Sequence, residues 1–419
     1  MKLHLLSRAC MVVGTAVVAG VAAPAFAAEP ILFSAAPLTP LVTDAAFATL
    51  AAEPTTRSAD IVLADAAAID LKTTRFKLDL DIGGPVRLTA DALKVHQTED
   101  GLIVWQGTLM ETRSSQARIA SDIADDPLNS VVLVRNGDKL TGNVRVFGQL
   151  YAIRPLFDGR HAVIEVDESR MPADHDEKAY RQMFQEMARS HTQTRPATGE
   201  NKAQTTIRAL VNYTTAARNA SADIVGLINL AVSESNIGYS NSGVEITLQL
   251  AGTGLVSYTE SSNFSTNLSR YRSTNDGYMD SIHTQRNNLS ADVAVLITNG
   301  TAACGIGYLN SNAASAFTVV ARSCATGYYS FAHEIGHNLG ANHDPANASG
   351  SPYAYGHGYQ RPQNGWRTIM AYDCTNGCTR INFWSNPNKT YNGVAMGTVA
   401  QSNNARVLNE RKATVAAFR

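Results

Sequence analysis

The 419-residue chain has only five cysteines, and none between Ala28 and Ala303. A disulfide-dense small scaffold is therefore excluded, and no thiolate from that long stretch is available to a metal. Charge is also sparse, at 17% of residues, and 35 basic against 36 acidic side chains leave a formal net charge of -1. Without a basic field, the composition offers nothing to a nucleic acid or an anionic membrane surface. The chain carries no internal repeat and no heptad run, which excludes solenoids and coiled coils. With 44% hydrophobic residues, a chain of this length suits a globular protein of more than one domain.

Long apolar runs are equally scarce. One stands at the start, where Lys2 and Arg8 precede an apolar stretch from Met11 to Ala23 that ends in Ala25-Phe26-Ala27. Gly14 and Gly20 interrupt it, and it falls short of the roughly 20 apolar residues that span a bilayer. Residues 1–27 thus read as a cleaved export signal, which predicts a secreted protein, periplasmic in transit, without stable membrane association. Cys10 lies in that signal, leaving Cys304, Cys324, Cys374 and Cys378. Four cysteines allow three pairings, of which Cys304 with Cys324 and Cys374 with Cys378 is the most local. A zinc site built from all four thiolates is the competing reading, but Cys304 and Cys324 lack a CxxC-like spacing.

Residues 28–70, rich in Ala, Thr and Pro, suggest a loosely ordered lead-in. From about residue 74 to 169, short runs such as Gly101-Leu-Ile-Val-Trp-Gln-Gly107 and Val131-Val-Leu-Val134 read as strands of a compact β-rich unit. A polar helix is expected over Asp174–Ala188, followed by a linker at about 190–202. Beyond it, strand patterns at Thr206–Tyr213, Val244–Leu250 and Val293–Ile297 alternate with helical ones at Ser221–Ser233 and Phe264–Asn288. That alternation predicts a twisted, mainly parallel α/β sheet over residues 203–419. Gly305–Leu309 reads as an edge strand, Ala316–Ala321 as a buried one, and Gly327–Leu339 as a helix.

That helix carries His333-Glu334-Ile335-Gly336-His337-Asn338-Leu339-Gly340-Ala341-Asn342-His343. Residues four apart nearly align on a helix, so His333 and His337 share a face. Glu334 is beside that face, where a carboxylate can take a proton from a metal-held water without itself ligating. Gly340 permits a left-handed turn that ends the helix and lets His343 return as a third ligand. Three histidines leave the open coordination position of a catalytic zinc site, whereas a structural site is closed by four protein ligands. HExxH alone arises by chance in roughly one chain of this length in a hundred, the extended form in about one in 100,000. One catalytic Zn2+ is therefore expected; whether calcium binds is left open.

The extended motif followed by Thr368-Ile369-Met370-Ala371-Tyr372 resembles the metzincin metallopeptidases, which implies a methionine turn at Met370 beneath the zinc. Asp344, directly after the third histidine, is like the reprolysin branch; Tyr372, two positions after Met370, is like the astacin and serralysin branches. Over residues 205–419 the chain looks most like the bacterial peptidyl-Asp metalloendopeptidases. The resemblance implies a zinc endopeptidase acting on proteins or peptides with Glu334 as general base, monomeric after processing. It also implies cleavage on the N-terminal side of acidic residues, which needs a cation in the pocket past the scissile bond. Arg367 and Arg380 are the candidates, with Arg322 and Lys389 behind them. Tyr372 is a candidate for binding the metal at rest or the oxyanion in the reaction. Asp344 is expected to anchor its loop, and His357, in Tyr355-Gly-His-Gly-Tyr359, to be structural. The alternatives are a reprolysin- or serralysin-like protease of broad preference and a non-enzymatic exported zinc-binding adhesion protein; a base at Glu334 argues against the latter.

A separately folded β-rich unit ahead of a linker is what an inhibitory propeptide, residues 28–202, would look like. Without a cysteine there, a histidine or carboxylate would have to block the metal. His175, in Asp174-His-Asp-Glu177, is the nearest candidate, although the composition favours a solvated helix start.

Overall fold

A computed structural model describes residues 29–36, 45–80, 87–110, 126–176, 178, 180–182, 203–348 and 350–419. The expected signal (1–27) and linker (190–202) lie outside the described residues. Among these residues, no helix is long and apolar enough to cross a membrane.

The N-terminal half is a nine-stranded antiparallel sheet of β1 (Phe33–Ala35), β2 (Thr56–Ala64), β3 (Arg75–Asp79), β4 (Arg87–Gln97), β5 (Ile103–Leu109), β6 (Ser130–Asn136), β7 (Lys139–Val146), β8 (Gln149–Pro155) and β9 (His161–Val166). The order is β1-β2-β9-β8-β7-β6-β5-β4-β3. The two outer strands meet: Leu32 donates its amide to the Lys77 carbonyl at 2.9 Å, and Lys77 donates to Pro30 at 2.8 Å. The sheet thereby closes on itself and leaves little bare edge. Phe76, Trp105, Leu133 and Ile153 fill the interior. Residues 28–70, expected as a loose lead-in, instead supply β1, α1 (Ala45–Ala51) and β2. Their Ala-rich composition concealed this, because a closing strand is held by main-chain bonds that composition does not report.

The C-terminal half is a five-stranded sheet of β10 (Thr205–Thr214), β11 (Ile246–Val256), β12 (Val293–Thr298), β13 (Gly305–Gly307) and β14 (Phe317–Ala321), in the order β11-β10-β12-β14-β13. All pairs are parallel except β13 with β14. Its helices of eight or more residues are α2 (Ile224–Asn241), α3 (Phe264–Arg272), α4 (Ser281–Asn288), α5 (Ser330–Asn338) and α6 (Asn404–Val415). The mainly parallel sheet and the expected edge strand at β13 are both present.

One face of α2 joins the C-terminal core through Leu227, Ile228 and Ala231. The other meets the barrel, where Leu230 and Ile237 pack with Val104, Val132 and Val134. A helix buried on two sides carries apolar residues on both, which weakens its amphipathic pattern, and buried polar side chains such as Glu234 are hydrogen-bonded. Polar contacts seal the same seam. Arg145 donates to the Gly327 carbonyl at 2.7 Å and to both oxygens of Glu168, and Asn143 donates to Glu234 at 2.6 Å. Disulfides join Cys304 to Cys324 and Cys374 to Cys378.

Candidate active site

Helix α5 carries His333 and His337 one turn apart, and every residue of the helix is buried. Gly340 has φ +99, the left-handed conformation that ends the helix. The chain then returns, bringing His343 Nε2 within 3.4 Å of His333 Nε2 and 3.1 Å of His337 Nε2. The helix lies tightly on its floor: a Cβ on Gly336 would stand 2.6 Å from the Trp384 ring and 3.1 Å from Met370 Sδ. Met370 is therefore beneath the helix, and its turn also presents the Ile369 carbonyl, which accepts from His333 Nδ1 at 2.9 Å. His337 Nδ1 donates to Ala341 O at 2.9 Å. With Nδ1 committed as donor, each Nε2 keeps its lone pair for a metal.

A fourth imidazole enters the cluster. His175 is 2% exposed, so the reading of a solvated helix start does not hold, and Asp174–Asp176 are not helical. Its Nδ1 donates to the Gly305 carbonyl at 2.8 Å, while its Nε2 stands 3.2 Å from His333, 3.2 Å from His337 and 2.8 Å from His343. Tyr180 stacks on the ring at 4.8 Å and donates to Asn342 at 3.0 Å. Nitrogens about 2.0–2.1 Å from a tetrahedral zinc lie roughly 3.3 Å from one another. The four nitrogens converge at nearly that spacing, all within 4.8 Å. Burial, reinforced by the neighbouring imidazoles, holds His333, His337 and His343 well below their ordinary pKa. Four neutral lone pairs aimed at one point repel unless a cation lies between them, so the donor set fits a metal ion.

Glu334 is 1% exposed, and its Oε2 has no hydrogen-bond partner. Burial, with the Asp174 charge adding, pushes its carboxyl well above the usual range. Gly305 makes room for it, since a Cβ there would stand 2.5 Å from Glu334 Oε1. Tyr372 packs on His343 with ring centroids 4.4 Å apart, and its amide donates to Asp344 Oδ1 at 2.9 Å. Asp344 thus ties the third-histidine loop to the methionine turn, as expected. His357 donates Nδ1 to the His343 carbonyl at 2.8 Å and stays outside the metal cluster.

Arg367 and Arg380 come together beside this cluster. They are 2% and 1% exposed, and both guanidinium groups lie over the Tyr328 ring, at 5.3 and 4.3 Å. Arg380 donates to Asp174 Oδ2 at 2.6 Å, and Arg367 Nη1 is 3.8 Å from the same oxygen. Burial would raise the Asp174 carboxyl, but the two cations outweigh it and hold it below its ordinary value. Asp174 and Tyr328 had no motif to mark them; the signal for Asp174 is its adjacency to His175. Arg322 is elsewhere, bonded to Asn299 at 2.9 Å and paired with Glu53 at the seam. Lys389 stands by Gly243, also apart from the cluster.

Helix, third histidine and methionine turn together define a metallopeptidase. Residues 203–406 match the Reprolysin_5 model of the M12 metallopeptidases. The whole chain is similar to the peptidyl-Asp metalloendopeptidase of Stenotrophomonas maltophilia, at 48% identity over 98% of this chain and 97% of that one. It is also similar to that of Xanthomonas campestris, at 48% over 87% of each chain. The chain belongs to this family of metalloendopeptidases.

Proposed function

We propose that the chain is the precursor of a secreted zinc endopeptidase of metzincin fold that cleaves on the N-terminal side of acidic residues. The observation that carries the specificity is Asp174 seated on Arg380, with Arg367 beside it. A buried pair of guanidinium groups with one aromatic wall is a receptor for a carboxylate, and it adjoins the metal cluster. The names of the relatives support the same preference.

Zinc, held by His333, His337 and His343, would supply Lewis-acid polarisation of water and of the peptide carbonyl. Glu334 accepts the proton of the attacking water and delivers it to the leaving nitrogen. It is buried, and the ion's charge would favour the carboxylate form that burial alone opposes. Tyr372, packed on His343, donates a hydrogen bond to the developing oxyanion. Met370 sets the floor that holds the first two histidines. Residues 28–202 form a propeptide whose barrel covers α2 and whose His175 enters the histidine cluster.

The deciding measurement is mass spectrometry of a defined protein digest. The processed enzyme is expected to cut before Asp and to stop with chelator; Glu334→Gln is expected to retain zinc and lose proteolysis. Equal proteolysis by that variant refutes the assignment. Arg380→Gln and Arg367→Gln, tested singly, are expected to lose the acidic preference; unchanged profiles in both reject the pocket. Tyr372→Phe should keep its zinc and lose about 100- to 1,000-fold in kcat, a loss in line with one oxyanion contact. Undiminished turnover removes Tyr372 from the mechanism.

A further inference from the structure

Resting on the acidic-pocket reading above, we infer that the Cys374–Cys378 disulfide is a specificity-determining element: it positions Arg367 beside Arg380, so opening it lowers the preference for acidic residues without removing hydrolysis.

The strand register brings the two cations together. Three short strands, β15 (Gln360–Arg361), β16 (Trp366–Arg367) and β17 (Thr379–Arg380), form a small sheet in that order. β16 and β17 are parallel and pair Trp366 with Thr379 and Arg367 with Arg380. Like charges at paired positions repel, and burial removes the water that would screen them. Strands of two residues have few main-chain bonds to resist that force; Thr379 donates its amide to the Gly365 carbonyl and Ile381 to that of Arg367, each at 2.9 Å. The connection between the strands, residues 368–378, keeps them in register only if it is itself held.

The disulfide holds its far end. It closes the loop immediately ahead of β17, and Asp373 Oδ1 gathers both ends, accepting from the amides of Cys374 at 2.9 Å and Cys378 at 2.7 Å. The Cys378 carbonyl accepts from Arg367 Nε at 3.2 Å, and Asp373 Oδ1 lies 3.5 Å from the same nitrogen. Arg367 directs its other two nitrogens to Ala371 O at 2.6 Å and to the Tyr328 hydroxyl at 2.8 Å. Arg380 differs: its Nε has no hydrogen-bond partner, and its Nη2 meets the Asp174 carboxylate. Arg380 thus grips a carboxylate, while Arg367 is a positioning residue that adds charge and fixes the aromatic wall. A closed loop has fewer alternative arrangements than an open one, so opening it frees the Cys378 carbonyl and lets Arg367 withdraw from its neighbour. The zinc site is anchored by other contacts: His333 by the Ile369 carbonyl, Ile369 by the Phe383 carbonyl at 2.9 Å, and Tyr372 by Asp344. Hydrolysis and selectivity are therefore separable.

The test compares the enzyme processed from the full-length parent chain with the double variant Cys374→Ser, Cys378→Ser, and takes Arg380→Gln and Arg367→Gln as references. The readout is kcat/KM, normalised to zinc content, on two peptides that differ only in Asp or Asn after the scissile bond. The double variant is expected to lose about tenfold in the Asp-to-Asn ratio, the effect of one weakened charge-assisted hydrogen bond, with the loss confined to the Asp peptide. A disulfide that only stabilises the fold would lower both rates together and leave the ratio unchanged. An unchanged ratio in the double variant, with a collapsed ratio in either arginine variant, overturns the inference and leaves the acidic pocket standing. If neither arginine variant changes the ratio, the pocket fails and the inference fails with it. Should the double variant not fold, the parent enzyme supplies the same readout. Cys304 and Cys324 are fully buried, whereas Cys378 is half-buried, so mild reduction and alkylation reach the Cys374–Cys378 pair first. Peptide mapping identifies the capped thiols, and an unchanged ratio after capping this pair overturns the inference.

Discussion

Asp344 shows how one side chain couples two pieces of the site. Its carboxylate accepts from the Tyr372 amide at 2.9 Å and from Asn347 Nδ2 at 2.9 Å, and it is buried. Removing it leaves the Tyr372 amide without its partner, so Asp344→Ala is expected to cost about 1–3 kcal/mol in denaturant unfolding. An unchanged midpoint and slope would show that the loop is held by other means. Its neighbour His343 depends on this tie, because the third ligand sits on a turn rather than on a helix. The zinc ligands themselves were legible in the sequence, since the spacing of His333 and His337 fixes their shared face and Gly340 marks the return. Arg367 and Arg380 were legible as candidates only, because a buried guanidinium and a solvated one look alike until a carboxylate is found beside them.

At the scale of elements, α2 is packed against both halves of the chain. Glu234 on this helix accepts from Asn143 of β7 and from the Gly327 amide at 2.8 Å. Burial raises its carboxyl to about 7 from the ordinary 4.5, even against these bonds. The folded chain therefore holds this proton more tightly than the unfolded one, and folding stability falls as pH rises from about 4.5 to about 7. His161, pushed down to about 4 chiefly by burial, has the opposite slope, so the comparison must be with Glu234→Gln. Denaturant unfolding of both full-length chains at pH 5 and pH 8 should show the variant gaining on the parent at the higher pH, by a few kcal/mol at most. Parallel behaviour of the two chains would mean that Glu234 does not titrate in this window. The helix itself was foreseen, but its second buried face was not, because apolar residues on two faces do not say which partner covers which side.

For the whole molecule, the barrel and the α/β half each have a hydrophobic core, joined by a mixed apolar and charged seam. A metal held at 1,000 times its dissociation constant stabilises the folded state by about 4 kcal/mol. Exhaustive chelation of the full-length chain is therefore expected to lower its Tm measurably by calorimetry, with recovery on adding zinc. Indifference to both treatments would separate the four histidines from metal binding.

Local spacing determined the metal-binding helix, its base and its terminating glycine, since these depend on residues within a few turns of one another. Alternating strand and helix patterns likewise determined the mainly parallel sheet. Only the tertiary structure decided that Pro30 and Leu32 close a barrel against Lys77, that Tyr328 walls the arginine pair, and that Asp174 and His175 reach residues 206 and 158 positions away. Contacts at such distances are made by chain crossings and main-chain bonds at a sheet edge. Neither leaves a periodicity in the sequence, so His175, read there as solvated, is instead buried against the site.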